Sequence, residues 1–394
     1  MKILTTNSAG NDRFGGIHTR KMEHIKYSPH HTFSIIELNK EKGYVVRDNC
    51  NIHKINALDC TAGKSIFEVL NTSKNYAEFN QDIEKIVNEY QNVIRGVNPD
   101  VVLIPGTSLT SYFLFKACRR ENILNKGVQE YAGVLEKEIG NYTGDTRFIL
   151  GQVGKEFVSK VAVGNLTYMF PSNICKKTVE EIHGVNIKNA HIVWNGISEE
   201  FITEGFNRKA PDELTLGYVG RVHHVKNLPF FLGLNKNMKK SAKLKIITDI
   251  SSIANKSTGK PLLEKMTLGE VFYYAPRSKK ELKKFYETQI SVGVVPSFFE
   301  TYCNGSVESL VCGTPTLLSD RAGASEVYKK YGLSDLVFSI DSMGSFEDAL
   351  AKAELRNFVI EEDLTRQIYE DLCWKKVIGK YNQIAEKVAS KPKN

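Results

Sequence analysis

A two-domain α/β protein is the fold class this sequence predicts, on three observations. Short apolar runs alternate with longer amphipathic segments along most of the chain, as they do where parallel strands alternate with helices. A polar, proline-bearing stretch at 206–213 interrupts that alternation, which then resumes. The length of 394 residues also exceeds what one hydrophobic core usually organises.

In the first half, Met1-Lys2-Ile3-Leu4-Thr5-Thr6-Asn7 runs straight into strand-like sequence, and 33–38 reads as a second strand. Apolar residues at Phe79, Ile83, Ile86, Val87, Tyr90 and Val93 predict a helix over 79–95. Asn98-Pro99-Asp100 punctuates it before a buried strand at 101–104. Further strands are expected at 127–131, 169–170 and 192–194, with a helix over 173–183. After the break, a strand opens at Leu214. Others follow near 244–248, 271–274, 292–295, 316–318 and 336–339, and helices are expected at 226–235, 278–288, 304–312 and 324–331. Two such halves leave ligand sites at the C-terminal ends of their strands, where open α/β sheets bind.

Composition excludes several classes. No stretch approaches the roughly 18 uninterrupted apolar residues of a membrane span, and the N-terminus lacks the apolar core of a signal peptide. The seven cysteines are scattered, odd in number and form no Cys-x-x-Cys, which argues against a disulfide framework or structural zinc site and for a reducing cytoplasm. The net charge of +8 admits anionic partners without choosing among them, and the lysine runs at 235–245 and 279–284 read more readily as solvated faces.

Three constellations carry chemistry. Phe14-Gly15-Gly16-Ile17-His18 follows the first strand, where the glycines either form a simple turn, the commoner case, or let backbone N–H groups approach an anion at a helix start. Gly220-Arg221-x4-Lys226 follows the first strand of the second half, and its two cations can converge on phosphate oxygens. In the intervening pair His223-His224 adjacent side chains on a loop diverge and no nearby Cys completes a ligand set, so it reads as no metal site. The third is Phe299-Glu300-Thr301-Tyr302-Cys303-Asn304-Gly305-Ser306-Val307-Glu308, with two carboxylates around a helix start. Asn304 or Gly305 is the expected N-cap, placing Glu308 in the first turn, and Gly313 and Pro315 end the helix. There Glu308 either offsets the positive helix end or, with Glu300, flanks a ligand docked on free N–H groups.

Together with Cys312-Gly313-Thr314-Pro315, Phe170-Pro171-Ser172, Val193-Trp194-Asn195-Gly196-Ile197, Gly323-Ala324-Ser325-Glu326 and Trp374, these motifs resemble the retaining nucleotide-sugar glycosyltransferases of family 4, the group 1 transferases. The match is firm from about 165 to 330, looser in 1–40 and thin between 40 and 160. The resemblance implies a GT-B fold, with two Rossmann-like domains facing each other across a cleft. Residues 1–205 would form the acceptor-side domain, 206–370 the donor domain, and 371–394 a helix crossing back to the first domain, with a tail.

It also implies roles. Gly15, Gly16 and Gly220 would receive the donor diphosphate, with Arg221 and Lys226 stabilising the leaving nucleoside diphosphate. Glu308 would hold the ribose. Glu300 would sit beside the anomeric carbon, helped by the N–H groups of Tyr302, Cys303 and Asn304. No metal or other cofactor is expected, because two fixed cations and a helix end can do that electrostatic work. The partners implied are a nucleoside-diphosphate-sugar and a hydroxyl acceptor: a glycan, a lipid-linked or an anionic one. The setting is cytoplasmic or peripheral at the inner membrane face. One departure stands out: the family's N-domain histidine is missing, since no histidine occurs between His53 and His183. Glu130 or His18 would be the acceptor-side substitute.

Other readings of the same residues are a non-catalytic nucleotide-sugar-binding subunit and a sugar-nucleotide epimerase of the same fold. A glycosidase fits less well, because a phosphate leaving group needs charge neutralisation where a glycosidase needs a proton donor. No nucleic-acid module supports transfer to a DNA base.

Overall fold

The computed structural model describes residues 1–7, 16–202, 208–248, 264, 266, 271–274, 276 and 278–391. Close contacts divide the chain into two units, Met1–Trp194 with Val377–Asn394, and Asn195–Lys376.

Among the described residues the first unit is built on eight strands: β1 (Lys2–Thr6), β2 (Thr32–Asn39), β3 (Gly43–Arg47), β4 (Cys50–Asn56), β5 (Val101–Pro105), β6 (Gly127–Glu130), β7 (Thr167–Phe170) and β8 (Ala190–Ile192). Their order in the sheet is β3-β4-β2-β1-β5-β6-β7-β8, parallel throughout except for the β3–β4 hairpin. The central strands are buried on both faces; every residue of β5 is buried, as a parallel sheet covered by helices requires. The helix expected over 79–95 is two helices, Tyr76–Asp82 and Glu84–Val97, because Ile83 leaves helical geometry (φ −89°, ψ 0°). The second presents Ile86, Val87, Tyr90 and Ile94 to the core and ends at Asn98 in the left-handed region. Tyr90 bonds Thr6 on β1 (3.0 Å), locking helix to sheet.

The second unit carries β9 (Thr215–Val219), β10 (Lys243–Ile247), β11 (Val271–Tyr273), β12 (Val292–Val295), β13 (Thr316–Ser319) and β14 (Val337–Phe338). Among the described residues they form one parallel sheet in the order β11-β10-β9-β12-β13-β14. The order reverses at β9, whose neighbours β10 and β12 run off in opposite directions, the switch point at which such sheets bind ligands.

Of the polar break at 206–213, Phe206 and Asn207 lie outside the described residues, and Arg208 is pinned. Its guanidinium donates to the carbonyls of Tyr286 (3.0 Å), Glu287 (2.8 Å), Ser291 (2.8 Å) and Phe358 (3.1 and 3.2 Å). Near the chain end, Trp374 stays with the second unit. Ile197 N–H donates to Leu372 O (2.7 Å) and Trp374 N–H to Ile197 O (3.3 Å). A Cβ on Gly196 would stand 2.4–2.8 Å from the indole, so only glycine permits this approach. From Val377 onward the same helix, Trp374–Ala389, belongs to the first unit and buries Ile378 and Tyr381 there.

Candidate functional site

The second unit gathers most of the predicted residues around the C-terminal ends of β9 and β12. β9 ends at Val219, and Gly220 continues the strand edge by donating to Ile247 O (3.0 Å). Tyr218 turns its hydroxyl under the loop and donates to Arg221 O (3.1 Å), fixing the backbone from which that side chain projects. Arg221 is exposed and forms no ion pair among the described residues. A short turn, His224–Lys226, then closes with Asn227 in the left-handed region (φ 49°), and Lys226 leaves it pointing at the loop after β12. That loop is tied back by Phe298 N–H donating to Val225 O (2.8 Å).

Glu300 lies on the second loop. Its backbone is clamped by Arg321 O and Gly323 N–H (3.3 and 3.0 Å), and one carboxylate oxygen, Oε1, accepts from both Lys226 Nζ and Ser297 Oγ (3.0 Å). The Lys226–Glu300 pair is largely buried, with 20% and 11% of the side chains exposed. Ser297 did not stand out in the sequence; its signal is only a hydroxyl three residues before the carboxylate on one loop.

The helix after this loop spans Asn304–Val311. The expected N-cap at Asn304 or Gly305 is not what forms. Cys303 takes that place with a left-handed backbone (φ 92°) and no side-chain cap, while Ser306 Oγ donates to its carbonyl (2.9 Å). The earlier start moves Glu308 out of the first turn into the second. Among the described residues, the N–H groups of Tyr302, Cys303 and Asn304 have no protein acceptor, so three donors stand together beside Glu300. Tyr302 contributes its backbone only, since its ring is buried. The Cys303 thiol is pushed up to about 12, first by burial and next by the Glu300 charge, with Lys226 pulling it back. That places the thiol beside the ion pair as a neutral neighbour.

Glu308 has no hydrogen-bond or ion-pair partner among the described residues, and desolvation pushes its carboxyl up to about 7 despite its partial exposure. Lys279, held by Ser198 Oγ (2.8 Å) and Glu200 (3.4 Å), lowers it somewhat; Glu200 raises it. The Gly-Thr-Pro stop is structural: Gly313 is left-handed (φ 78°), and Thr314 Oγ1 donates to Tyr286 O (2.6 Å).

The remaining predicted residues belong to the first unit. Gly15 lies outside the described residues; Gly16 opens the first helix, Gly16–Lys26, with His18 in its first turn. Glu130 ends β6, 7% exposed, and lines a small cavity with Thr5, Arg20, Lys21 and His24. Burial raises its carboxyl, against the pull of Arg20 and Lys21. Burial also lowers Lys21 to about 8, although Lys21 bonds Asn7 Oδ1, and lowers His24 to about 4, although His24 bonds Asn382 (2.9 Å). The sequence did not mark this cluster, because its members come from separate elements.

Residues 201–370 match the family of glycosyl transferases group 1. No curated protein matches the chain in sequence. Among solved structures, the chain is similar to sucrose-phosphate synthase from Thermosynechococcus elongatus, at 13% identity and a TM-score of 0.73, covering 98% of this chain and 99% of that one. It is also similar to a glycosyltransferase from Rickettsia africae, at 14% identity and a TM-score of 0.67 over 99% of both chains. A third is an α,α-trehalose-phosphate synthase (UDP-forming) from Burkholderia vietnamiensis, at 12% identity and a TM-score of 0.66, covering 99% and 97%. These likenesses show the GT-B fold.

Proposed function

We propose that the protein is a retaining glycosyltransferase that moves a sugar from a nucleoside-diphosphate-sugar to a hydroxyl acceptor in glycan or glycolipid assembly. The observation that carries this reading is the concentration of anion-binding groups at one strand end. Arg221 is exposed, Lys226 leans on Glu300, and three N–H donors stand without acceptors at the start of Asn304–Val311. Such preorganised positive charge suits a diphosphate leaving group, which needs neutralisation more than protonation. Glu308, partly exposed and without a partner among the described residues one helical turn on, supplies the acceptor for ribose hydroxyls.

The sequence of events follows from these contacts. Lys226 donates to Glu300 Oε1. An arriving diphosphate draws Lys226 to its oxygens, and Glu300, still held by Ser297, is released toward sugar hydroxyls. As the bond to the anomeric carbon breaks, charge moves onto the leaving phosphate, and Arg221 and Lys226 are placed to receive it. An oxygen of that phosphate then takes the acceptor proton on the same face of the sugar, which gives retention. Gly15 and Gly16 belong to this proposal as the diphosphate's second contact, and His18 and Glu130 as acceptor-side groups. No metal enters the steps.

The test is a thermal-shift screen of nucleotide sugars followed by a transfer and donor-hydrolysis assay. UDP-sugars come first, because the trehalose-phosphate synthases sharing the fold are UDP-forming. A ligand that stabilises by mass action and is turned over supports the reading. Tight nucleotide binding with no hydrolysis or transfer to any acceptor would replace it with the non-catalytic subunit.

A further inference from the structure

A second cluster of ligating side chains lies in the first unit, made of residues that the proposed site does not use. The turn after the first helix carries His30 and His31, their rings 4.1 Å apart between centroids and inclined at 68°. Glu386, on the chain-terminal helix Trp374–Ala389, faces them. One ligand atom from each of the three lies within 4.8 Å of the other two.

The burial pattern is unusual. His31 is 3% exposed, and neither ring nitrogen makes a hydrogen bond of normal geometry. A buried imidazole ordinarily has at least one partner, because leaving its polar atoms unsatisfied is costly. Here the two flanking ligands, His30 and Glu386, are the exposed members. The arrangement is one buried imidazole whose ring nitrogens lack a partner of normal geometry, flanked by two exposed ligating side chains.

We propose that His30, His31 and Glu386 form a binding site for a borderline divalent cation such as Zn2+, fastening the last helix to the turn after the first. Two imidazoles and a carboxylate are a ligand set that zinc accepts, with water completing the tetrahedron. Zinc bonds of about 2.0–2.2 Å bring ligand atoms to about 3.3 Å apart. The 4.8 Å limit of the cluster therefore has to shorten, which we assign to rotation of the exposed His30 and Glu386. The Met1 amino group, within electrostatic reach of His31, opposes the cation and argues for moderate affinity. The cluster leaves no trace in the sequence because adjacent histidines have no diagnostic spacing, and the carboxylate comes from the other end of the chain.

The experiment uses the full chain, stripped with chelator and titrated with ZnCl2 by calorimetry, with Co2+ as a spectroscopic probe of tetrahedral coordination. The expected result is one equivalent of Zn2+ bound, a raised melting temperature, and slowed amide exchange near 380–389. Glu386→Gln and His31→Ala should each weaken binding by about tenfold or more. Glu386 is exposed, so its variant folds even if His31→Ala does not. A His223→Ala/His224→Ala variant, which alters the other histidine doublet, should bind as the parent does. Absence of saturable binding, binding unaffected by Glu386→Gln, or binding lost only with His223 and His224 would overturn the proposal.

Discussion

Glu308 gives the sharpest handle on the proposed donor site, because its carboxyl is pushed up to about 7 chiefly by desolvation. If ribose hydroxyls bind the ionised carboxylate, donor affinity must follow its ionisation. A group titrating at about 7 is about nine-tenths ionised at pH 8 and about one-tenth at pH 6, so affinity should weaken about tenfold between them. Glu308→Gln should abolish the slope. It should also weaken binding at pH 8 by about 10- to 100-fold, the value of hydrogen bonds to a charged acceptor. The ligand should be an intact nucleoside-diphosphate-sugar, whose own charge is constant over this range, titrated by calorimetry at half-unit steps from pH 5.5 to 8.5. Stability provides a second readout. The folded carboxyl titrates above its ordinary 4.5, so the folded state binds more protons. Stability contributed by this group is therefore full below about pH 4.5 and is lost as pH rises to about 7. The loss amounts to at most about 3 kcal/mol, reduced by solvent at a partly exposed side chain. Glu308→Gln should accordingly flatten part of the denaturation midpoint's decline over that window. An affinity that is level across pH 6–8 in the parent, or equally sloped in Glu308→Gln, would refute the assignment.

Arg221→Ala and Lys226→Ala should each lower turnover by about 10²–10³-fold, read by steady-state transfer rates, with melting temperatures little changed for exposed Arg221. Gly196→Ala drives a methyl into the buried Trp374 indole and should cost about 1–3 kcal/mol, seen as a lower urea midpoint. An unchanged midpoint would show that the loop at Gly196 yields freely. Arg208→Ala strips donors from four backbone carbonyls and should cost about 2 kcal/mol or more by the same measurement.

Much of the architecture was written locally. Alternating apolar strands and amphipathic helices show in the chain because a buried parallel strand must be apolar on both faces, as β5 and β12 are. The Gly-Arg-x4-Lys and Glu-x7-Glu spacings likewise lie within single loop-and-helix units, so the sequence could put forward Arg221, Lys226, Glu300 and Glu308 as candidates. The break at Ile83 escaped it, since an apolar period runs through a kink unchanged. So did the start of Asn304–Val311, which depends on a left-handed Cys303 that no propensity favours.

What only the tertiary structure decided are relations between distant residues. Lys226 and Glu300 are paired because two loops are stitched together at Val225 and Phe298. Glu308 is pushed up to about 7 because its surroundings are filled by other elements, a property with no local spelling. Glu130, Arg20 and Lys21 around one cavity, and His31 beside Glu386, follow the same rule. Residue type and spacing along a chain specify which chemistry is available. Burial and partnership, which set charge state and readiness to bind, exist only once separate segments have packed.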